Sequence, residues 1–563
     1  DLGAPATPAP ASYCLVETVT HHEPGAEIVF RRVMDEREDR FADEHTLGGR
    51  GVSREDPAQN GLPVLPMTFS LEAMSEAASL LAPGKVVIGL RNIRLFRWLP
   101  FDPAPTTLEV RARVASVDPG TGVVEVKADV RDLGNSFLPD GANKASAEAV
   151  VILADRYPDP PAPLPFHLTD EVPCKSTIED LRRNMFHGPL FQMIRTLDVT
   201  GREGIEGTLE VQPRDGWFRS NPDPRHALDP VLMDAAMHIL GAWHLEQPDW
   251  TGRILLPFEV QKVEYFGPTP EVGSHVVVRG HNEQESARHF RHGLEVFDAS
   301  GNVWLRLTGA GYWRFYLPFG HVNFFGPKDE YYLSREWPEA VGESAELRSG
   351  AGGAPGLDSA RSAFARCYFL EPPADLKQPV LRAAGARVTM TPSELATFSA
   401  WKGSDAELND WFFGRMLAKD AVRSAWAQKH SEAMFPADLE TEEVHGRIAC
   451  HPRGAAKGEP FPLVSVAISE GKVAALAAFA EHVGIALQAV PKNATPEAEQ
   501  EARKAVACGA VADALGAPVA GCALESLDAN TGAALVTAGG ARFRVQTARN
   551  KDAVVATTLC ESA

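Results

Sequence analysis

Residues 227–238 read ALDPVLMDAAMH, and this stretch decides both the fold and the chemistry that we expect of the chain. It opens a helix that we predict from about Pro230 to His244. Residues four apart lie on one helix face, so the Asp234 carboxyl and the His238 imidazole point the same way. A lone Asp in a helix is usually solvent-facing, and His238 could either hydrogen-bond Asp234 or merely orient the helix. The role of the pair therefore depends on what the chain places beside it.

A second stretch, residues 43–78, reads DEHTLGGRGVSREDPAQNGLPVLPMTFSLEAMSEAA and leads into a second predicted helix at residues 68–81. Each helix precedes long alternating runs, with turn residues between them, that predict strands. These runs cover residues 85–96, 106–117, 122–133 and 145–154 after the first helix, and 253–266, 274–283 and 291–313 after the second. A helix and a meander, occurring twice, predict two copies of one α+β fold lying side by side.

Three seams rich in Pro or Gly divide the 563 residues, which are too many for one core. The seams are the N-terminal APATPAPAS, residues 155–165 (DRYPDPPAPLP) and about residues 342–356 (GESAELRSGAGGAPG). We therefore predict one fold copy at 1–160, a second at 161–335, a linker at 336–360 and a further domain at 361–563. The chain opens inside an Ala/Pro-rich segment without an initiator Met, so we expect a piece of a larger polypeptide.

The bulk composition argues against several classes of protein. Lys and Arg number 55 against 75 Asp and Glu, a net charge of −20 that argues against nucleic acid or an anionic membrane as the main partner. No run approaches 18 apolar residues, and the seven scattered cysteines lack disulfide or zinc spacing, which fits a reducing cytoplasm. The basic run Arg91, Arg94 and Arg97 could dock an acidic partner, but a solvated strand face explains it more simply.

Four motifs in a fixed order resemble the dehydratase domains of polyketide synthases, which are tandem (double) hot-dog folds with one active site between the halves. They are His45-x-x-x-Gly49 with VLPMTFSLE (Pro66 and Glu72), HGPLFQ at 187–192, Asp234-x-x-x-His238, and Leu-Pro-Phe at 256–258. Two features depart from the family. His187 stands where the family has Tyr, and Pro66 follows His45 by 21 positions instead of about nine, so residues 50–62 are expected to form an inserted loop that reshapes the tunnel mouth.

The resemblance implies removal of water from a 3-hydroxyacyl thioester carried on phosphopantetheine. His45 would be the base, since neutral imidazole suits that task. Asp234 would be the acid, which requires burial to raise its pKa, and the Gly49 region would polarise the thioester carbonyl. His187 could contact substrate or simply pack. No metal or organic cofactor is required. Substrate contacts are expected from Gly49, Leu65, Pro66, His187, Gly188, Pro189 and His238.

The last block resembles a 4′-phosphopantetheinyl transferase domain, an α+β pseudo-twofold fold found at the C-terminus of enediyne-type and polyunsaturated-fatty-acid-like synthases. WFFGRMLAKDAVRSAW at 411–426 and the segments PLVSVAISEGKVAALAA, HVGIALQAV and CGAVADALG carry the likeness. The family's ligand positions are occupied by Ile468, Ala486, Gln488, Cys508, Gly509 and Asp513. Because Mg²⁺ needs carboxylate oxygens beside a pyrophosphate, we expect Mg²⁺ and CoA binding to be lost and the domain to be structural. Lys419 and Arg423 are expected to be surface charges of a helix.

Three functions stay open at this point. An active dehydratase uses both His45 and Asp234, whereas a double-bond isomerase of the same fold lacks the acid. A non-catalytic acyl-binding or scaffold module needs neither residue, and a still-active transferase domain is a fourth alternative for the last block. As partners we expect an acyl carrier protein and other synthase domains, no nucleic acid and no membrane, and a homodimer is compatible with such a synthase.

Overall fold

The computed structural model describes residues 13–102, 104–134, 144–247, 253–286, 289–316, 324, 326–341, 364–454 and 458–560. The chain forms two compact units, one made of residues 1–50 and 61–317 and the other of 51–60 and 318–563. The second unit therefore begins earlier than predicted and takes in residues assigned above to a hot-dog half and a linker. The predicted seam at 342–356 lies outside the described residues. None of the described helices is long and apolar enough to cross a membrane.

The first unit is built on one antiparallel sheet of 13 strands. Strand β5 of the first fold copy pairs with β12 of the second, with Ile93 opposite Val260, so the sheet runs through both copies. Its order is β1-β2-β6-β7-β8-β5-β12-β15-β14-β13-β11-β10-β9. The strands are β1 Thr18–Glu23, β2 Glu27–Met34, β5 Val86–Leu95, β6 Thr106–Val117, β7 Val124–Asp132, β8 Ala147–Ala154, β9 Val172–Pro173, β10 Ile194–Gly201, β11 Gly204–Glu210, β12 Arg253–Tyr265, β13 His275–Glu285, β14 His289–Phe297 and β15 Val303–Tyr316, with a separate pair β3 Thr46–Leu47 and β4 Leu62–Pro63.

Two buried helices cover this sheet and carry the site. The helices of the unit are α1 Arg40–Asp43, α2 Met67–Leu81, α3 Ile178–Arg183 and α4 Pro230–Leu245. Helix α2 packs on β6, β7 and β8, and α4 packs on β10, β11 and β13. Both are buried nearly all round, as central helices must be. At Gly280 of β13 a Cβ atom would lie 2.8 Å from Leu240 Cδ2, so the glycine allows α4 to approach the sheet. The prediction of two α+β copies is confirmed for this unit.

Four strands of six or more residues in this unit were not predicted, and neither were the two-residue strands β3, β4 and β9. Every residue of β1 is exposed, so it shows no alternation between a buried and an exposed face. Strands β2, β10 and β11 precede the helices in each copy, where the sequence pattern indicated no strands. Two arginines of the basic run at residues 91–97 form ion pairs on the strand face. Arg91 lies 2.9 Å from Glu125, and Arg94 lies 3.9 Å from Glu148.

The second unit has two larger sheets, each covered by one long helix. Helix α7 packs on β17, β20 and β21, and α8 packs on β22, β25 and β26. The sheet orders are β16-β17-β21-β20 and β22-β26-β25-β24-β23, with a separate pair β18-β19. The elements are β16 Arg335–Glu336, β17 Arg366–Leu370, α5 Pro379–Thr389, α6 Pro392–Ser399, α7 Asp405–His430, β18 Leu439–Val444, β19 Arg447–Pro452, β20 Leu463–Ser469, β21 Lys472–Ala478, β22 His482–Ala489, α8 Pro496–Leu515, β23 Cys522–Leu527, β24 Ala533–Ala538, β25 Ala541–Asn550 and β26 Ala553–Cys560.

Lys419 and Arg423 of α7 are core residues, so the expectation that they are surface charges is wrong. Lys419 is 1% exposed, and its ammonium group bonds Glu394 at 2.6 Å and the Thr389 carbonyl at 2.8 Å. Arg423 is 0% exposed and donates to four backbone carbonyls. Such burial is tolerable only because each cation is paired and hydrogen-bonded.

The inserted loop also departs from expectation. Residues 51–60 belong to the second unit, and none of them lines the cavity described below. Within the second unit, the Ser53 hydroxyl and the Arg54 amide both donate to the Asp438 carboxylate, at 2.5 and 3.0 Å. The Gln59 side chain donates to the Met390 carbonyl at 2.7 Å. The loop is therefore held by specific hydrogen bonds within the second unit, and its effect on the tunnel mouth stays a prediction.

Candidate active site

A cavity of about 360 Å³ in the first unit brings the predicted catalytic residues together. His45 and Asp234, 189 positions apart in sequence, both line it, as do His187 and His238. A ring nitrogen of His45, one of His187 and a carboxylate oxygen of Asp234 lie within 4.8 Å of one another. The remaining wall is mostly apolar, with side chains from α2, α4, β12 and β15. Polar groups that converge inside an apolar cavity are typical of a ligand site.

The position of His45 is fixed by the backbone around it. His45 forms an isolated β-bridge with His187, and its Nδ1 lies 2.6 Å from the Val64 carbonyl. A carbonyl oxygen only accepts, so Nδ1 carries the hydrogen and Nε2 keeps a free lone pair. Burial lowers the pKa of His45, against the opposing effects of the Asp234 charge and the Val64 bond. The imidazole is thus neutral and available as a base.

Asp234 is held by three side chains from two helices and a loop. Its Oδ1 lies 3.0 Å from His238 Nε2 and 3.5 Å from His187 Nε2, and its Oδ2 accepts from the Thr68 hydroxyl at 3.2 Å. Burial by itself would raise the pKa of Asp234. The hydrogen bond and charge of His238, the charge of His45 and the Thr68 bond outweigh burial and lower it. The expectation that burial raises the pKa of Asp234 is therefore wrong, because the carboxylate has polar partners.

His187 occupies the space between the two predicted catalytic residues. Its ring stacks on Phe186 at 4.1 Å and lies 4.0 Å from the ring of His238. Burial, followed by the charges of His238 and His45, lowers its pKa well below the ordinary value. Its Nδ1 is buried without a hydrogen-bond partner. His187 is therefore a neutral side chain with one unused polar atom.

The histidines and Asp234 also form a donor set of a kind that transition metals accept. His45 Nδ1 and the Asp234 carboxylate already have protein partners. The cluster fits an acid–base site better than a formed metal centre.

The predicted substrate contacts divide into two sets. Leu65, His187 and His238 line the cavity, whereas Gly49, Pro66, Gly188 and Pro189 do not. The Gly49 amide donates to the Thr46 carbonyl at 2.9 Å, and the Gly188 amide donates to the Glu44 carbonyl at 2.7 Å. Neither amide is free to polarise a thioester, and the expectation that an amide near Gly49 or in the following loop does so stays a prediction. These glycines support the loops that carry His45 and His187.

Sequence reasoning missed three groups of the site. Thr68 binds Asp234, the Val64 carbonyl binds His45, and Tyr312 of β15 lines the cavity with a buried hydroxyl that has no hydrogen-bond partner. Burial, and then the Asp234 charge, raise the pKa of Tyr312. Tyr312 lies three strands beyond the last motif in the sequence, and no local pattern distinguishes it from a core tyrosine.

A buried carboxyl pair on α2 supports the site from outside the cavity. Glu72 accepts from the amides of Ala227 and Leu228, both at 2.6 Å, just before α4 begins. Burial, then the charge of Glu76, raises the pKa of Glu72 well above its ordinary value, and burial raises the pKa of Glu76 to about 7. Glu76 also accepts from the Leu15 amide at 2.9 Å. The pair joins α2 to the chain that positions Asp234.

The predicted ligand positions of the second unit are largely apolar. A Cβ atom on Gly509 would lie 2.9 Å from the Cβ of Ala486, so β22 and α8 touch there. The Asp513 carboxylate accepts from the Ser465 hydroxyl at 2.5 Å and the Ile485 amide at 3.0 Å, which gives it a structural role. Ile468 is 41% exposed on β20. The described part of this unit contains no cluster of three metal-ligating side chains. The remaining positions, Gln488 and Cys508, lie on β22 and α8.

A neutral imidazole beside a carboxylate in an apolar cavity defines an acid–base enzyme. Residues 175–313 match the family described as "Polyketide synthase dehydratase N-terminal domain". This part of the chain is therefore similar to the dehydratase domains of polyketide synthases, a class that dehydrates 3-hydroxyacyl thioesters.

Known proteins resemble the first half of the chain. One polyunsaturated fatty acid synthase polypeptide, from Thraustochytrium sp., is 22% identical over 289 residues, which are 50% of this chain and 9% of that protein. The chain thus matches less than a tenth of this curated relative. The dehydratase domain of RzxB from Pseudomonas fluorescens (15% identity, TM-score 0.39) covers 53% of this chain and 98% of its own. A trans-AT synthase dehydratase domain from Brevibacillus brevis (17%, 0.40) covers 54% of this chain and 100% of its own.

Proposed function

We propose that the first unit removes water from 3-hydroxyacyl thioesters carried on the phosphopantetheine arm of an acyl carrier protein, within a larger synthase. One observation carries the proposal. His45, whose Nε2 lone pair is free, lies in the same cavity as Asp234, with a ring nitrogen within 4.8 Å of a carboxylate oxygen. His45 takes the α-proton, the C–O bond at the β-carbon breaks, and the electron pair of the C–H bond becomes the double bond.

The acid in this proposal is the Asp234–His238 pair rather than an isolated carboxyl. The two side chains share a hydrogen bond of 3.0 Å, and one proton on the pair can pass to the leaving hydroxyl, which departs as water. Binding of an apolar acyl chain excludes water from the cavity and increases the effect of burial, which favours the protonated carboxyl. The Thr68 hydrogen bond keeps the carboxylate oriented during this change.

For the second unit, we propose a transferase-like fold that has lost its chemistry and serves architecture. Two sheets with one long helix each support the pseudo-twofold likeness. The apolar contact between Ala486 and Gly509, in place of carboxylates, supports the loss of Mg²⁺. Titration calorimetry with CoA and Mg²⁺, together with a transfer assay on an apo carrier protein, tests this proposal; rapid transfer contradicts it.

Turnover of a 3-hydroxyacyl-pantetheine surrogate tests the proposed dehydration. We expect water loss by the unaltered protein, and a decrease of at least about 100-fold in kcat for His45→Phe and for Asp234→Asn. His226→Phe is the matched control, because His226 lies outside the cavity. Water loss that survives in Asp234→Asn contradicts the assignment of Asp234 to the acid. Migration of the double bond in a 2-enoyl-pantetheine, without water loss from the 3-hydroxyacyl surrogate, indicates an isomerase. Absence of turnover in the unaltered protein indicates an acyl-binding module.

A further inference from the structure

One position of α4 is unlike its neighbours. Asp234, His238 and Gly241 share the helix face that borders the cavity. From Pro230 to His244, Gly241 is the single residue of this described helix that is not buried. At about 1.5 Å per residue, it lies about 10 Å along the helix from Asp234. The cavity wall therefore extends along α4 well beyond the reacting groups and includes a residue without a side chain.

Nothing in the local structure requires a glycine there. Glycine in a helix interior is less stable than alanine. Gly241 is absent from the positive-φ positions, and a Cβ atom on it would meet only Met185 Cε, at 3.8 Å, an ordinary contact. At Gly207 and Gly280, by contrast, a Cβ atom would lie 2.8 Å from side chains of α4. Those two glycines are explained by packing, whereas Gly241 is explained by the space that it leaves open.

The surroundings of that space are suited to an aliphatic chain. Met185, Met237 and Leu240 border the cavity beside Gly241, and methionine side chains adapt to ligands of different length. Two aromatic residues that also line the cavity, Phe96 and Trp313, are 53% and 43% exposed and mark an opening to solvent. A thioester arm that enters beside these aromatics would direct the acyl tail past Asp234 toward Gly241.

We infer that Gly241 sets the length of the acyl chain that the site accepts, and that the natural substrate carries a medium or long aliphatic tail. The inference rests on the proposed dehydration and names its substrate class. A side chain at position 241 would occupy the volume of the tail without touching His45 or Asp234. Short substrates would then react as before, and long ones would be excluded.

The test compares Gly241→Ala and Gly241→Leu with the unaltered protein on the pantetheine thioesters of 3-hydroxybutanoate, 3-hydroxyoctanoate and 3-hydroxydodecanoate. For Gly241→Leu we expect kcat/KM to fall about 10- to 100-fold on dodecanoyl and to change less than about threefold on butanoyl. The kcat/KM of Gly241→Ala on the dodecanoyl thioester should lie between the values of Gly241→Leu and the unaltered protein. Gly267→Ala is the control, since Gly267 lies outside the cavity and its Cβ would make one ordinary contact, 3.7 Å from Trp304.

The outcomes separate this inference from the proposed function. Equal losses on all three thioesters would mean that the arm, not the tail, passes Gly241, and would overturn the inference. The inference would also be overturned if the ratio of kcat/KM on the dodecanoyl thioester to that on the butanoyl thioester were the same in Gly241→Leu as in the unaltered protein. If the unaltered protein dehydrates none of them, the proposed function fails, and the binding of the same series to both proteins by calorimetry still tests the length limit. A thermal unfolding curve confirms that each variant is folded.

Discussion

Replacing Tyr312 by phenylalanine separates a functional hydroxyl from a structural one. The Tyr312 hydroxyl is buried in the wall of the cavity and has no hydrogen-bond partner within the protein. The charge of Asp234 contributes to the raised pKa of Tyr312, so the two groups are electrostatically coupled. An unpaired donor in this position is a candidate to bind the hydroxyl or carbonyl oxygen of the substrate.

The magnitudes follow from the cost of an unpaired polar group. Burying a hydroxyl without a partner costs about 1–3 kcal/mol, so Tyr312→Phe is expected to raise the free energy of unfolding by about 1 kcal/mol or more. One hydrogen bond to substrate contributes about 1 kcal/mol, or several-fold to about 10-fold in kcat/KM. The same change should therefore increase stability and decrease activity.

Denaturant unfolding checks the predicted gain in stability, and thioester turnover, measured on the same preparation, checks the predicted loss of activity. Tyr265→Phe is the matched control, because Tyr265 is equally buried but donates to Met233 Sδ at 3.2 Å and lies outside the cavity. The Tyr265→Phe variant should lose a little stability and keep its activity. A Tyr312→Phe variant that is destabilised, or that keeps full kcat/KM, would refute the reasoning.

Two further predictions concern buried charges. Because the pKa of Glu76 is raised to about 7, the folded protein binds more protons than the unfolded one between about pH 4.5 and 7; stability should fall as the pH rises through this window, by about 3 kcal/mol in total, and Glu76→Gln should flatten the profile. Glu394→Gln leaves the Lys419 ammonium buried without its carboxylate and should destabilise the second unit by about 3–5 kcal/mol, measured by chemical denaturation. The control is Glu443→Gln, which should change stability little because the Glu443 side chain is 61% exposed.

The sequence predicted the scaffold of the site well because periodicity reports burial. The predicted helices at 68–81 and about 230–244 are observed at Met67–Leu81 and Pro230–Leu245, and the long strands lie where alternation placed them. Alternation could not reveal β1, which buries neither face. It also could not reveal the burial of Lys419, since its partner Glu394 lies on a separate helix 25 residues earlier.

The direction of the pKa shift of Asp234 could not be predicted from the sequence. A motif fixes the residue type and the helix face, but the pKa depends on groups that tertiary folding brings within a few ångströms. Burial and hydrogen bonding act on this carboxyl in opposite directions, and Thr68, from the other fold copy, contributes to the balance. A carboxyl that has lost its partners would hold a proton by burial alone. Because the Asp234 carboxylate is hydrogen-bonded to His238 at 3.0 Å, the proposed mechanism predicts that substitution of His238 shifts the pH dependence of the reaction as well as its rate.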